Sequence, residues 1–79
     1  MEEDEGIMRI TIRLRNLRES RQESQGQLAV RVGLHRSYIA KIEQGHRVPT
    51  LDVLYRLAHH FGCRMEDLIS LESDRGKST

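Results

Sequence analysis

Apolar residues recur at helical spacing near the start of the chain. Ile7, Ile10, Leu14 and Leu17 are separated by three, four and three positions, which places them on one face of a helix. The stretch MRITIRLR (residues 8–15) also alternates apolar and polar positions, which is the pattern of a strand. The sequence therefore predicts a first helix and leaves open a short N-terminal strand or arm before it.

A second helix is predicted after Ser24. The Ser24 side chain suits an N-cap, and Gln27, three positions on, completes a capping box. Gly33 then ends the helix, because glycine adopts the left-handed conformation at little cost. Leu34 follows the glycine and is expected to be buried beneath the corner. The inner face of this helix carries three apolar residues, Leu28, Ala29 and Val32.

A third helix is predicted from about Arg36 to Gln44. Its periodicity buries Ile39 and Ile42, and Gly45 ends it in the same way that a glycine ends the second helix. Two short helices that meet at a glycine corner, the second with polar residues facing outward, form a helix-turn-helix.

A fourth helix is predicted after Pro49, which cannot continue the third. Thr50 is a suitable N-cap, Asp52 places an acid in the first turn, and Gly62 ends the helix. Four apolar positions are expected on its inner face, namely Leu51, Leu54, Ala58 and Phe61. Beyond it, Met65, Leu68 and Ile69 fit a short fifth helix.

These elements predict an all-α fold, a compact five-helix bundle that contains a helix-turn-helix. We expect an acidic N-terminus at residues 1–6, one helical domain at residues 7–71 with the helix-turn-helix at 24–45, and a polar tail at 72–79. The 79 residues suffice for one small domain. The chain has no apolar run of the ~18–20 residues that a membrane span needs.

The acidic start and the single cysteine, Cys63, indicate a cytoplasmic protein. Four acids in residues 1–5 are the opposite of the basic segment that opens a secretory signal, and one cysteine gives no internal disulfide. We also expect no metal site. His59 and Cys63 are four positions apart, but a full ligand set is missing and Phe61 intervenes. A small buried thiol is the simpler interpretation of Cys63.

The net charge of +1 conceals a segregation of charge along the chain. Residues 6–50 carry nine basic and three acidic residues, whereas residues 51–79 carry four basic and five acidic ones. A basic segment within a nearly neutral chain indicates a surface that faces a polyanion. An ordinary solvated helix face is the alternative.

Six short motifs together resemble the Cro/phage-repressor-type (XRE) helix-turn-helix family, over roughly residues 9–70. They are Leu14-Arg15-x-Leu17-Arg18, Ser24-Gln25-x-x-Leu28-Ala29, Gly33-Leu34, Ser37-Tyr38-Ile39, Ile42-Glu43-x-Gly45 and Pro49-Thr50-Leu51. The resemblance implies a lambda-repressor-like DNA-binding domain that acts as a homodimer on a palindromic operator in double-stranded DNA. Three positions depart from the family pattern: Glu23, where an apolar residue is usual, Gly26 and His35.

The third helix is predicted to read DNA bases. Arg36, Ser37, Ala40 and Lys41 lie off the face that carries Ile39 and Ile42. Five residues are predicted to contact the DNA backbone, namely Gln25, Tyr38, His46, Arg47 and Arg13; for Gln25 the family resemblance implies this role. A solvated surface position is the alternative for the four base-reading residues and for Gln25, and packing against the turn is the alternative for Tyr38. We expect Arg18 and Glu43 to form a structural ion pair between the first and third helices.

The apolar residues near the C-terminus predict a dimer interface. Met65, Leu68, Ile69 and Leu71 are too many for one short helix to bury internally. The stretch around Ile10 and Ile12 is the alternative interface.

The sequence bears on three classes of function, namely a DNA-binding regulator, a protein-binding module and an enzyme. We expect a small transcription regulator that works by occupancy alone, as a repressor, a restriction-modification controller or an antitoxin-type autoregulator. The alternative is a helical protein–protein interaction module without direct DNA binding, against which the polar outer face of the third helix argues. The sequence offers no nucleophile–base pair or phosphate-cradling loop for an enzyme. We expect no cofactor, no small-molecule ligand and no membrane partner.

Overall fold

The computed structural model describes residues 8–73. The elements in chain order are β1 (Met8–Ile12), α1 (Leu14–Ser20), α2 (Gln25–Val32), α3 (Arg36–Glu43), α4 (Leu51–Phe61), a 3₁₀ turn (Met65–Leu68) and β2 (Ile69–Ser73). The predicted acidic N-terminus at residues 1–6 lies outside the described residues. Of the predicted polar tail at 72–79, the first two residues belong to β2 and the remainder lies outside the described residues.

Side-chain caps start α2 and α4, as the sequence predicts. The Ser24 hydroxyl accepts a hydrogen bond from the Gln27 N–H at 3.0 Å, and Gln27 Oε1 accepts one from the Ser24 N–H at 2.9 Å. The Thr50 hydroxyl accepts from the Val53 N–H at 3.2 Å. Gly33 has a φ of 72° and ends α2 in the left-handed conformation. The capping box and the glycine corner are thus confirmed.

The core lies between the four helices and the 3₁₀ turn. Six large side chains are fully or almost fully buried: Leu14, Leu28, Ile39, Ile42, Leu57 and Leu68. The prediction for Leu51 is wrong, because this residue is 75% exposed. Leu51 begins α4 on the side of Tyr55, four positions on and also exposed, whereas the buried face of α4 runs through Val53, Leu54 and Leu57.

A two-stranded antiparallel ribbon replaces both ends of the predicted helical bundle. β1 pairs with β2 in a register that places Ile10 opposite Leu71 and Ile12 opposite Ile69. The first helix therefore begins at Leu14 instead of Ile7, and the alternative of an N-terminal strand is confirmed for Met8–Ile12. The all-α, five-helix prediction is wrong, because the fold has four α-helices and a small sheet among the described residues.

The predicted fifth helix is reduced to one 3₁₀ turn, and Ile69 opens β2 instead of ending that helix. Ile12 and Ile69 pack against the core from one face of the ribbon. Ile10 and Leu71 share that face by strand alternation but are 55% and 59% exposed, so the apolar face extends beyond the core. Within residues 8–73, the longest helices are too short and too polar to cross a membrane.

Candidate nucleic-acid interface

The helix-turn-helix consists of α2, the Gly33 corner and α3. The Leu34 N–H donates to the Ala29 carbonyl at 2.9 Å, which folds the chain back at the end of α2. The Leu34 side chain is half-buried and packs against the core beneath this corner. The corner therefore holds the first residue of α3, Arg36, at the protein surface.

α3 has one buried and one outward face. Ile39 and Ile42 are 0% and 2% exposed, and they anchor the helix on the core. The four residues predicted to read bases share the other side, where Arg36, Ser37 and Lys41 are exposed and Ala40 is half-buried. The structure thus places three long or polar side chains and one methyl group on a single free surface.

A groove of about 590 Å³ runs beside the outward face of α3, and Ser37, Tyr38, Lys41 and Arg47 line it. The guanidinium carbon of Arg47 lies 5.5 Å from the centre of the Tyr38 ring, within the range of a cation–π contact. The backbone N–H groups of His46 and Arg47 both donate to the Lys41 carbonyl, at 2.8 and 3.3 Å. The loop after α3 therefore folds back and brings Arg47 next to the helix.

Arg18 and Glu43 lie together as a bidentate pair between α1 and α3. Arg18 Nε donates to Glu43 Oε2 at 2.7 Å, and Arg18 Nη2 donates to Glu43 Oε1 at 3.0 Å. The Glu43 side chain is fully buried, and that of Arg18 is 11% exposed. Arg15 adds a longer contact to Glu43 Oε1 at 3.4 Å. Two arginines of α1 thus hold the C-terminal end of α3.

The environment of this pair favours the charged forms of both groups. Burial by itself would raise the pKa of Glu43, but hydrogen bonds from Arg18 and Gln25 and the charge of Arg18 outweigh it and hold the pKa below its usual value. The hydrogen bond to Glu43 raises the pKa of Arg18. Glu43 is therefore a buried carboxylate that remains ionised at neutral pH.

Gln25 joins the same network from the start of α2. Its Nε2 donates to Glu43 Oε1 at 3.0 Å, and the residue is half-buried. One N–H of the amide is thereby fixed, and the second N–H and the carbonyl oxygen remain for another partner. Gln25 is therefore held in place by α3 before any DNA contact forms.

The two remaining residues that are predicted to contact the DNA backbone, His46 and Arg13, are exposed. His46 lies in the loop after α3, and Arg13 lies between β1 and α1, where its N–H donates to the Leu68 carbonyl at 2.8 Å.

A second buried acid, Glu23, forms a cluster whose partners the sequence did not reveal. Glu23 is 6% exposed, and its Oε2 accepts from Arg31 Nη1 at 2.6 Å and lies 2.8 Å from His60 Nε2. Burial would raise the pKa of Glu23, but the hydrogen bonds from Arg31 and His60 lower it further than burial raises it. Glu23 Oε1 is buried without a hydrogen-bond partner among the described residues. The sequence signal for this cluster is Glu23 itself, an acid at a position where the family pattern usually has an apolar residue.

The predicted dimer interface needs correction, because most of its residues are used inside the monomer. Leu68 is fully buried, and Met65 and Ile69 are half-buried against the core. Leu71 alone of the four is largely exposed, at 59%. The physical reason is the 3₁₀ turn, which directs Leu68 inward and lets the chain enter β2.

Cys63 is a free, half-buried thiol packed against the core, and burial raises its pKa. Among residues 8–73, His, Cys, Asp and Glu side chains form no group of three or more that is positioned to hold a metal ion.

The fold and this surface define a helix-turn-helix domain of the kind that inserts its second helix into DNA. Residues 14–68 match the model of the helix-turn-helix family HTH_3, and the chain belongs to this family. The match confirms the resemblance to XRE-type regulators that the sequence motifs carry. It spans α1 to the 3₁₀ turn, and leaves the two strands of the ribbon outside.

The relatives of this chain are transcriptional regulators by name. An uncharacterized HTH-type transcriptional regulator from Archaeoglobus fulgidus is 34% identical over 62 residues, which cover 78% of this chain and 89% of the relative. A regulator of the same description from Methanocaldococcus jannaschii is 35% identical over 51 residues, which cover 65% and 77% respectively.

Two solved structures are also similar. The restriction-modification controller protein C.AhdI from Aeromonas hydrophila is 36% identical with a TM-score of 0.66, and the match covers 70% of this chain and 83% of that one. The transcriptional regulator VanUg is 28% identical with a TM-score of 0.68, and the match covers 85% and 89%. These comparisons place the chain among the DNA-binding helix-turn-helix transcription regulators.

Proposed function

We propose that this protein is a sequence-specific regulator that binds a palindromic operator in double-stranded DNA as a homodimer and acts by occupancy. The observation that carries the proposal is the two-faced α3, whose apolar side anchors it and whose outward side presents Arg36, Ser37 and Lys41. The likeness to C.AhdI, a restriction-modification controller protein, supports a role of that kind for this chain.

Base reading falls to the N-terminal part of α3, since this end of a recognition helix reaches deepest into the major groove. The fork of the Arg36 guanidinium matches the O6 and N7 acceptors of guanine. Lys41, more than one turn further on, approaches a guanine or a phosphate as a point charge. Ser37 discriminates weakly because its hydroxyl both donates and accepts, and the Ala40 methyl packs on a thymine methyl.

Phosphate contacts fix the orientation of α3 on the duplex. Arg47, held over the Tyr38 ring, contacts the backbone beside α3, and His46 and Arg13 add to this contact. Gln25 contributes its free amide N–H from the start of α2. Because Glu43 holds Gln25 through the other N–H, the phosphate contact and α3 keep a fixed geometry.

Selection from a pool of random duplexes tests this function. We expect recovery of an inverted repeat with half-site centres about 10 base pairs apart, which is the spacing that a two-fold dimer of this fold requires. The matched control is the Arg36→Ala protein, which should recover the repeat with one position of each half-site relaxed. Two results together would show that the protein does not recognise sequence. The selection would recover no motif, and a polyanion competitor would abolish binding equally for every duplex.

A further inference from the structure

Two exposed apolar residues, Ile10 and Val48, line one groove where the ribbon meets the loop after α3, and a third, Leu71, lies next to Ile10 across the ribbon. Ile10 and Leu71 are partners across the ribbon, and Val48 lines the same groove as Ile10. Their exposed fractions are 55%, 59% and 73%. We call these three residues the ribbon patch. Isolated exposed aliphatic residues are ordinary in soluble proteins, whereas neighbouring ones beside a groove offer a partner a continuous apolar surface.

The groove has a volume of about 460 Å³ and runs along β1. Its lining combines the β1 residues Ile10, Thr11 and Ile12 and the apolar Ile42 and Val48 with Glu43, Gln44, Gly45 and Arg47. This volume corresponds to roughly fifteen molecules of liquid water. An aliphatic side chain that enters the groove beside Ile10 and Val48 would release water from the apolar part of its lining, which is favourable.

We propose that the ribbon patch is the surface through which two copies of this chain dimerise, each placing Leu71 in the groove of the other. A projecting side chain and a groove lie side by side on one copy. A two-fold axis satisfies both contacts at once, because in such an interface the same surface meets itself. This inference rests on the proposed function, in which two copies share a palindromic operator.

A second copy fits this surface better than an unrelated peptide. A peptide that filled the groove would leave Leu71 in water, whereas a second copy covers the groove and Leu71 together. The ribbon also offers free backbone edges, since the sheet has two strands only within residues 8–73. Such edges favour pairing with another strand.

The exposed area predicts a weak dimer. The three residues present roughly 300 Å² of apolar surface per copy, on the order of 100 Å² each. A stable interface of standard size buries about 800 Å² per partner. We therefore expect a dimer that dissociates on dilution in the absence of DNA and assembles cooperatively on the operator.

The outer face of α4 is the competing surface. Leu51 and Tyr55 are 75% and 58% exposed, and they lie one turn apart on the same side of the helix. Part of this face is already used, because the Tyr55 ring stacks on His59 with centroids 6.0 Å apart. The experiment must therefore separate Leu71 from Leu51.

Three matched variants make this separation. Leu71→Lys places a charge in the ribbon patch, Leu51→Lys places it on α4, and Val30→Lys places it on α2 at a residue that is 82% exposed. All three add the same charge to the protein. In sedimentation equilibrium over a concentration series, we expect Leu71→Lys to weaken dimerisation about tenfold or more and the other two to match the wild type.

DNA binding is measured on a single half-site and on the full repeat. We expect Leu71→Lys to bind the half-site like Val30→Lys and to lose cooperative binding to the repeat. Loss of half-site binding by every protein would contradict the proposed function and not the interface. The proposed interface would be overturned if the Leu71→Lys protein remained dimeric and bound the repeat cooperatively. It would also be overturned if only Leu51→Lys caused the dimer to dissociate, or if the wild type bound the repeat as a monomer.

Hydrogen exchange on the wild type gives a second test that does not depend on any variant folding. We expect backbone amides of β1 and β2 to exchange more slowly at high protein concentration, while amides of α2 do not respond. Dimerisation without any change in the exchange of β1 and β2 would overturn the proposal.

Discussion

Arg36, the first residue of α3, and Arg47, in the loop beside this helix, are both exposed, yet we assign them different tasks. Arg36→Ala should cost roughly 1–3 kcal/mol on the cognate operator and relax the preference at one base pair per half-site. Arg47→Ala should weaken binding to all sequences about equally, because a phosphate carries no sequence information. A panel of single-base operator variants, titrated with both proteins, measures the difference. Uniform weakening by Arg36→Ala would make Arg36 a phosphate contact.

The buried pair of Arg18 and Glu43 predicts a strong coupling in stability. Removing either partner leaves the other, largely buried charge without its bidentate counter-charge, and breaking a buried pair in this way typically costs about 3–5 kcal/mol. Arg18→Ala and Glu43→Ala should therefore lower the melting temperature by similar amounts, and the double variant should be little worse than either. The control is Arg64→Ala, which breaks an ion pair whose side chains are 75% and 73% exposed and should cost less than about 1 kcal/mol. Additive losses from Arg18 and Glu43 would contradict the coupling.

Glu23 predicts a specific loss of stability in acid. Its folded pKa is lowered below the ordinary value of 4.5, so its ionised form stabilises the fold at neutral pH. This contribution is lost as the pH falls from about 4.5 through the folded pKa. Urea unfolding between about pH 7 and pH 3 should show a weaker dependence of the unfolding free energy on pH for Glu23→Gln than for the wild type. Glu19→Gln, at an exposed position of α1, controls for the loss of one charge; equal slopes for Glu23→Gln and the wild type would refute the assignment.

At the scale of single elements, local signals in the sequence were sufficient for the helices that caps and glycines delimit. Ser24 with Gln27 and Thr50 fixed two helix starts, and Gly33 fixed the corner, because each acts on neighbours within four positions. The ribbon was different. Residues 8–12 fit a helix and a strand equally well, and the segment that decides between them lies at Ile69–Ser73, at the other end of the domain.

Large separation along the chain also explains which contacts of the candidate sites the sequence did not predict. Nothing local connects Glu23 with His60, 37 positions away, although the unusual acid itself was visible in the sequence. The sequence predicts Leu68 on an interface because it predicts a helix there, whereas the 3₁₀ turn directs Leu68 into the core. By contrast, the pairing of Arg18 with Glu43 is predicted in advance, and both residues stand in the motifs that resemble the family, which link distant parts of the chain as periodicity does not.

Two glycines of the helix-turn-helix should respond oppositely to the same substitution. Gly33→Ala forces alanine into a left-handed conformation at a φ of 72°, and should destabilise by about 1 kcal/mol. Gly26 lies in the first turn of α2, where an added Cβ would meet Ser24 Oγ at 3.9 Å and Arg36 Cδ at 4.0 Å, which are ordinary contacts. Gly26→Ala should therefore stabilise by up to about 1 kcal/mol. Thermal unfolding measures both effects, since 1 kcal/mol shifts the melting temperature of a domain this size by about 4–8 °C. Melting-temperature changes of the same sign for Gly33→Ala and Gly26→Ala would contradict the helix geometry.

At the scale of the whole molecule, the basic segment predicts a steep dependence of DNA affinity on salt. Each neutralised phosphate adds about −0.9 to the slope of log K against log salt concentration. A dimer with several phosphate contacts per copy should show a slope of magnitude about 4 or more, and Arg47→Ala should reduce it by about 1 per copy. Fluorescence anisotropy with a short duplex at five salt concentrations measures both slopes. A flat dependence would remove the electrostatic basis of the proposal.

The ribbon also sets the order in which the chain assembles. Thr11 and Ser70, joined across it by a hydrogen bond, are 59 positions apart, so pairing the strands closes almost the entire domain into a loop. Such a closure costs about 3–4 kcal/mol of chain entropy, which contacts between neighbouring helices avoid. We therefore expect the helices to fold first, the strands to join last, and the same strands to fray first from the native state. If two copies meet through the ribbon, the strands must separate from the partner before they fray, so the fraying slows as the fraction of dimer rises.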